Sequence, residues 1–128
     1  MRIFKNKAFT RFARKSGIDD ACLCKAVEEA EQGLIDADLG GGVIKQRIAR
    51  SGGGKSGGFR TLILFRVGSL AFFVHGFAKN EQANIDDDEL AALRKLASLM
   101  LAYDEAALRR ALANKTLIEV ICHEKTIP

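Results

Sequence analysis

Between Asp38 and Glu81 the chain carries Lys45, Arg47, Arg50, Lys55, Arg60, Arg66 and Lys79 and no acidic residue. The flanks differ: residues 1–38 hold seven basic and seven acidic side chains, and residues 81–128 hold six and nine. The formal net charge of +4 therefore comes from one acid-free block. A one-sign field of this kind attracts polyanions and speeds their encounter. The plainer alternative is a solvated basic face.

The spacing inside the block is more specific. Val43–Ala49 alternates as a β-strand does, with Lys45 and Arg47 on one face and Ile44, Gln46 and Ile48 on the other. Phe59–Val67 alternates as well. Phe59, Thr61, Ile63 and Phe65 share one face, and Arg60, Leu62, Leu64 and Arg66 share the opposite one. Pairing that brings the two basic faces together makes a cationic surface on one side of a small sheet. Such a surface binds an RNA backbone. It also stabilises the charge that builds on phosphorus and on the leaving oxygen when a ribose 2′-OH attacks. RNA itself supplies that nucleophile, so the chemistry requires no metal and no cofactor is expected. The competing role for these arginines is pairing with acidic side chains of the chain or of a partner. His75 shares its parity with Phe73 and Phe77. Its commonest role would be a packed, hydrogen-bonded residue; facing the basic surface instead, it would serve proton transfer.

Other motifs carry less. Gly54-Lys55-Ser56 lacks the glycine five residues before Gly54 that a phosphate-binding loop requires, since Ala49 stands there, and a strand follows it instead of a helix. Ser51–Gly58 reads as a flexible glycine loop able to touch phosphates through Lys55 and its backbone N–H groups. Cys22 and Cys24 are two apart on a predicted helix and diverge by about 200°, so they do not converge on a metal. Cys122-His123 adds little to a zinc site. An odd cysteine count of three argues against a disulfide framework, for core cysteines, and for a reducing cytoplasm.

The surrounding elements must position the basic strands. Arg2–Lys5 is a candidate short strand. Asn6 caps a helix running to about Lys15, and Ser16-Gly17-Ile18-Asp19 resembles a capping box before a second helix over 18–32. These two helices are expected to form a hairpin covering the sheet face away from the cations. Gly40-Gly41-Gly42 ends that section. Leu70–Phe77 is an aromatic-rich buried strand, and short links between the three strands favour an antiparallel meander. Asp86, with Glu89 three residues on, caps a third helix whose apolar stripe is Leu90, Leu93, Leu96, Ala97 and Met100. Asp104–Ala113 is a fourth helix, and Thr116–Cys122 is β-prone. The expected fold is α+β: a small antiparallel sheet packed on an N-terminal helical hairpin, with a C-terminal helical extension.

At 128 residues this is one expected domain, 1–128, large enough for its own core. A hydrophobic share of 48% excludes disorder. No apolar run approaches the roughly 20 residues of a membrane span. The basic N-terminus lacks the apolar region of a secretory leader, so a cytoplasmic location away from membranes is expected.

Three runs together resemble a known family. They are Val43-Ile44-Lys45-Gln46-Arg47-Ile48-Ala49-Arg50, then Gly54-Lys55-Ser56-Gly57-Gly58-Phe59-Arg60-Thr61, then Phe72-Phe73-Val74-His75-Gly76-Phe77-Ala78-Lys79-Asn80-Glu81. They are similar to the RelE-type toxins of bacterial type II toxin–antitoxin systems, in the RelE/ParE superfamily. The resemblance is strongest over residues 43–85. It implies a small antiparallel sheet on two helices, a cognate antitoxin partner, and either mRNA cleavage, usually on the ribosome, or inhibition of DNA gyrase.

Carried over by motif, Lys45 and Arg47 are the basic strand residues that accept a proton and contact phosphate, and Arg60 stabilises the transition state. Lys79 lies in the basic segment that follows the aromatic strand. Asn80 stands where an arginine is expected, and Ile85 and Asp86 stand where a tyrosine is expected. The expected site is then Lys45, Arg47, Arg60 and His75 as catalytic groups, with Arg50, Lys55, Arg66 and Lys79 contacting RNA. The expected function is a metal-independent endoribonuclease toxin. A non-enzymatic toxin acting on a protein such as gyrase, and a plain RNA-binding module, remain the other classes.

Overall fold

The computed structural model describes residues 1–48, 58–78 and 85–122. The glycine loop over 51–57 lies outside these residues, as do Arg50, Lys55, Lys79, Asn80 and His123.

In chain order the elements are β1 (Arg2–Asn6), α1 (Lys7–Ser16), α2 (Asp20–Glu31), β2 (Ala37–Gly40), β3 (Val43–Ile48), β4 (Phe59–Arg66), β5 (Leu70–Ala78), α3 (Asp87–Met100), α4 (Glu105–Ala113) and β6 (Leu117–Glu119). The class is α+β, and the sheet has six strands in the order β2-β3-β4-β5-β1-β6. The expected β3-β4-β5 meander is antiparallel throughout. The sheet as a whole is mixed, however. β1 inserts between β5 and β6 and runs parallel to β5, Ile3 lying opposite Ala71 and Phe4 opposite Phe72. A connection through α1, α2 and three further strands separates β1 from β5, which a parallel pairing permits and a hairpin does not.

Local chemistry sets the ends of the helices. Asn6 caps α1 by accepting from Phe9 N–H at 2.8 Å. Gly17, in the left-handed region, closes α1 one residue beyond Ser16. Ser16 is thus the last residue of α1 and not the cap of α2. That cap is Asp19, whose Oδ1 accepts from Cys22 N–H at 3.1 Å. The bond favours the ionised carboxyl and lowers the Asp19 pKa. The capping box of α3 pairs Asp86 with Glu89 as its spacing predicts, and Asp104 caps α4. β2 was not anticipated, because four residues with two polar positions carry no strong alternation. It joins β3 through Gly41 and Gly42, both at positive φ, which is the requirement of a two-residue hairpin turn.

Two apolar layers cover the two sheet faces. On one side α1 packs on β5 and β1 while α2 packs on β3, so these helices spread across the sheet and do not close on each other as a hairpin. Their core joins Phe9, Leu23 and Val27 to Ile44, Ile63 and Phe73. The other face was expected to carry the cations, and the C-terminal helical extension was not placed on it. Instead α3 and α4 cover much of it through Ala97, Met100, Leu101 and Leu108, which pack with Val43, Leu62, Leu64 and Phe72. Arg94 of α3 fastens the β2–β3 turn by donating to the Leu39 carbonyl. The stripe of α3 is as expected, although Leu90, Leu93 and Leu96 are only partly buried.

The cysteine expectation is overturned. Cys24 on α2 and Cys122 just beyond β6 form a disulfide, with Cα atoms 5.8 Å apart. An odd count excludes only complete pairing; β6 at the sheet edge carries Cys122 back over α2, within bonding range. The cysteine argument for a reducing compartment falls with it. Cys22 remains free, and burial pushes its thiol pKa up. No helix of the described residues is long and apolar enough to cross a membrane.

Candidate nucleic-acid interface

The register of β3, β4 and β5 builds the basic face in two adjacent rows. Lys45 lies opposite Leu62, which lies opposite His75. Arg47 lies opposite Arg60, which lies opposite Phe77. Directly paired residues project to the same side of a sheet. Lys45, Arg47, Arg60 and His75 therefore occupy one face; Arg47 and His75 are exposed there, Lys45 is half-buried, and Arg60 is largely buried.

His75 reaches this face through an irregularity. The β4–β5 register shifts between Leu62 and Ile63: Ile63 pairs with Phe73, whereas Leu62 pairs with His75. Val74 is the extra residue of a β-bulge, and the parity of β5 inverts there. The expectation that His75 shares a side with Phe73 is thus corrected. Phe73 is buried beneath α1, while His75 and Phe77 face the other way with ring centroids 5.7 Å apart. Gly76, between them, faces α1 so closely that an added Cβ would lie 2.3 Å from Phe12 Cε2.

The two arginines differ in setting. The side chain of Arg47 is 47% exposed and that of Arg60 only 13%. Like charges placed directly opposite each other repel, and Asp36 offsets this. Its Oδ1 accepts from Arg47 Nε at 3.1 Å, and its Oδ2 lies 3.8 Å from Arg60 Nε. Asp36 is itself anchored by Gln46, whose Oε1 accepts from Asp36 N–H at 2.9 Å. Gln46 also donates to the carbonyls of Ala26 and Leu34, both at 3.0 Å. The Arg60 Nη1 atom is buried and has no hydrogen-bond partner among the described residues.

Arg66 is not brought into this group. It shares the parity of Arg60 but sits six residues along β4, roughly 20 Å away, with buried Leu62 and Leu64 between them. Arg50, Lys55 and Lys79 lie outside the described residues. Sequence reasoning missed Asp36 altogether and treated Gln46 as one more member of the strand's inner face. A polar residue between Ile44 and Ile48 on a helix-covered face must find partners, and that was the available signal. A hollow lined by Glu29, Leu34, Ile35, Asp36, Gln46 and Arg47 adjoins the arginine pair. A larger one lies elsewhere, between Met1, α2 and the Cys24–Cys122 disulfide.

Comparison with curated proteins returns no match. One family model matches residues 1–120, nearly the whole chain, and it is described as the RelE toxin of the RelE/RelB toxin–antitoxin system. The chain belongs to the RelE toxin family, and is the toxin of a toxin–antitoxin system.

Proposed function

We propose that this toxin is a metal-independent endoribonuclease that cleaves mRNA in the cytoplasm, on the ribosome, and that a cognate antitoxin holds it in check. The observation that carries the reading is the arrangement of Lys45, Arg47, Arg60 and His75 on one face of the sheet, with Arg47 and His75 exposed and Arg60 largely buried beside them.

The scissile phosphate binds over Arg47 and Arg60. His75 and Lys45 flank it from either side of Leu62, about 10 Å apart at the backbone, two inter-strand spacings. His75 accepts the 2′-OH proton, a task suited to a residue type that exchanges protons near neutrality. The 2′ oxygen bonds to phosphorus, and the bond from phosphorus to the 5′ oxygen breaks. Lys45 gives a proton to the departing 5′ oxygen. The guanidiniums of Arg60 and Arg47 stabilise the charge on the equatorial oxygens. The products are a 2′,3′-cyclic phosphate and a 5′-hydroxyl end. Arg50, Lys55 and Lys79, which lie outside the described residues, contribute further positive charge for contact with the RNA backbone.

The end chemistry tests this directly. RNA from cells expressing the toxin should carry new ends that polynucleotide kinase labels without prior phosphatase treatment. New ends bearing 5′-phosphate would contradict attack by the 2′-OH.

A further inference from the structure

Asp36 meets both arginines through their Nε atoms. A guanidinium offers two edges, and a carboxylate on Nε leaves the Nη donors directed elsewhere. Arg60 Nη1 has no partner among the described residues but is buried, so the Nη donors open to a ligand are the exposed ones, chiefly those of Arg47, whose side chain is 47% exposed. Asp36 is also a fixed point. Its backbone N–H is held by Gln46, and Gln46 is 3% exposed and tied to two carbonyls of the α2–β2 segment. The chain therefore runs from a buried amide, through one carboxylate, to two cations that would otherwise repel each other.

We propose that Asp36 is a positioning residue: its carboxylate holds Arg47 and Arg60 side by side by their Nε edges and leaves the exposed Nη groups of the pair to take one phosphate. This rests on the phosphate-binding role assigned to the pair under Proposed function. Asp36 touches neither substrate nor reacting atoms. Its negative charge slightly weakens the attraction for any anion bound over the pair, and what it supplies in return is alignment. Removing the charge while keeping the shape should therefore spare binding and harm the rate. A purely structural residue would lower both together through loss of fold.

Asp36→Asn separates these outcomes. The first measurement uses the purified protein and needs no catalysis. Side-chain ¹H–¹⁵N spectra should show a protected Nε–H for Arg47 in the wild type, shifting to the position of exposed arginines in Asp36→Asn. Inorganic phosphate should perturb Arg60 in both proteins, with an affinity in the variant equal to or above that of the wild type. Unchanged Nε–H signals, or phosphate affinity that falls threefold or more in a variant of unaltered melting temperature, would overturn the proposal.

The second measurement is message cleavage in a ribosome-containing translation mixture. The maximal rate should fall roughly 10- to 100-fold, the scale expected when a reacting group is misplaced by about an ångström. Binding of an uncleavable 2′-deoxy oligonucleotide should be undiminished, and Asp36→Glu should recover part of the rate. Full activity in folded Asp36→Asn would overturn the proposal. If the wild type cleaves nothing, the endoribonuclease reading fails, and the spectra alone still decide whether Asp36 aligns the pair.

Discussion

Arg47 lies directly opposite Arg60 across the β3–β4 ladder, and one carboxylate, that of Asp36, reaches both. The cross-strand position is fixed by the alternation of two strands, and the carboxylate by a short segment before β2. The candidate site is thus a property of sheet register and not of a mobile loop.

Gln46 is the first test of that support. Gln46→Leu should leave the carbonyls of Ala26 and Leu34 and the N–H of Asp36 without their side-chain partner. Losing several hydrogen bonds at a buried site costs ~2–4 kcal/mol, given about 1–3 kcal/mol for each unsatisfied group and partial recovery by relaxation. Urea denaturation should show that loss with an unchanged slope. A change below about 0.5 kcal/mol would mean that the network contributes little.

Gly76 tests the bulge. Gly76→Ala places a methyl group 2.3–2.4 Å from the Phe12 ring, which packs edge-on against Phe59. Phe12 must turn away, and the variant should lose ~1–3 kcal/mol of stability as overpacking does. A neutral result would imply that Gly76 does not face α1. The parity that carries His75 to the basic face would then be wrong as well.

Much of this was legible in the sequence, and the failures have identifiable causes. The alternation of β3 and β4 and the caps Asn6 and Asp86 were readable because each is a local rule with a local signal. β2 was not, since Ala37–Gly40 has neither length nor apolar alternation. The place of β1 in the sheet depends on which strand edge remains free, and no local pattern encodes that. The side of His75 relative to Phe73 was misread because alternation assumes an unbroken period of two, and the bulge at Val74 adds one residue. Asp36 escaped notice because its importance lies in two partners 11 and 24 positions away in sequence. The disulfide escaped because Cys24 and Cys122 are 98 residues apart and meet only once β6 has paired with β1.

That disulfide makes its own prediction. The oxidised protein, unfolded in denaturant, should titrate one thiol per chain, Cys22, and the reduced protein three. In the folded oxidised protein Cys22 should react slowly at neutral pH, because burial raises its pKa and keeps it a thiol. Reduction, or Cys122→Ser, should cost ~2–4 kcal/mol by releasing a long loop in the unfolded chain. Three reactive thiols without reductant, or an unaltered melting temperature after reduction, would contradict the bond.

The most direct test of RNA cleavage by the basic face is primer extension on mRNA after induced expression of the wild type, Arg60→Ala and Lys45→Ala, with folding checked by circular dichroism. The wild type should arrest growth and generate new mRNA 5′ ends. Folded Arg60→Ala should lose those ends by a hundredfold or more, about 3–4 kcal/mol of transition-state stabilisation, whereas an exposed arginine in an ordinary ion pair would cost ~0–1 kcal/mol. Growth arrest by the wild type with no new mRNA ends, or undiminished cutting by folded Arg60→Ala, would contradict it.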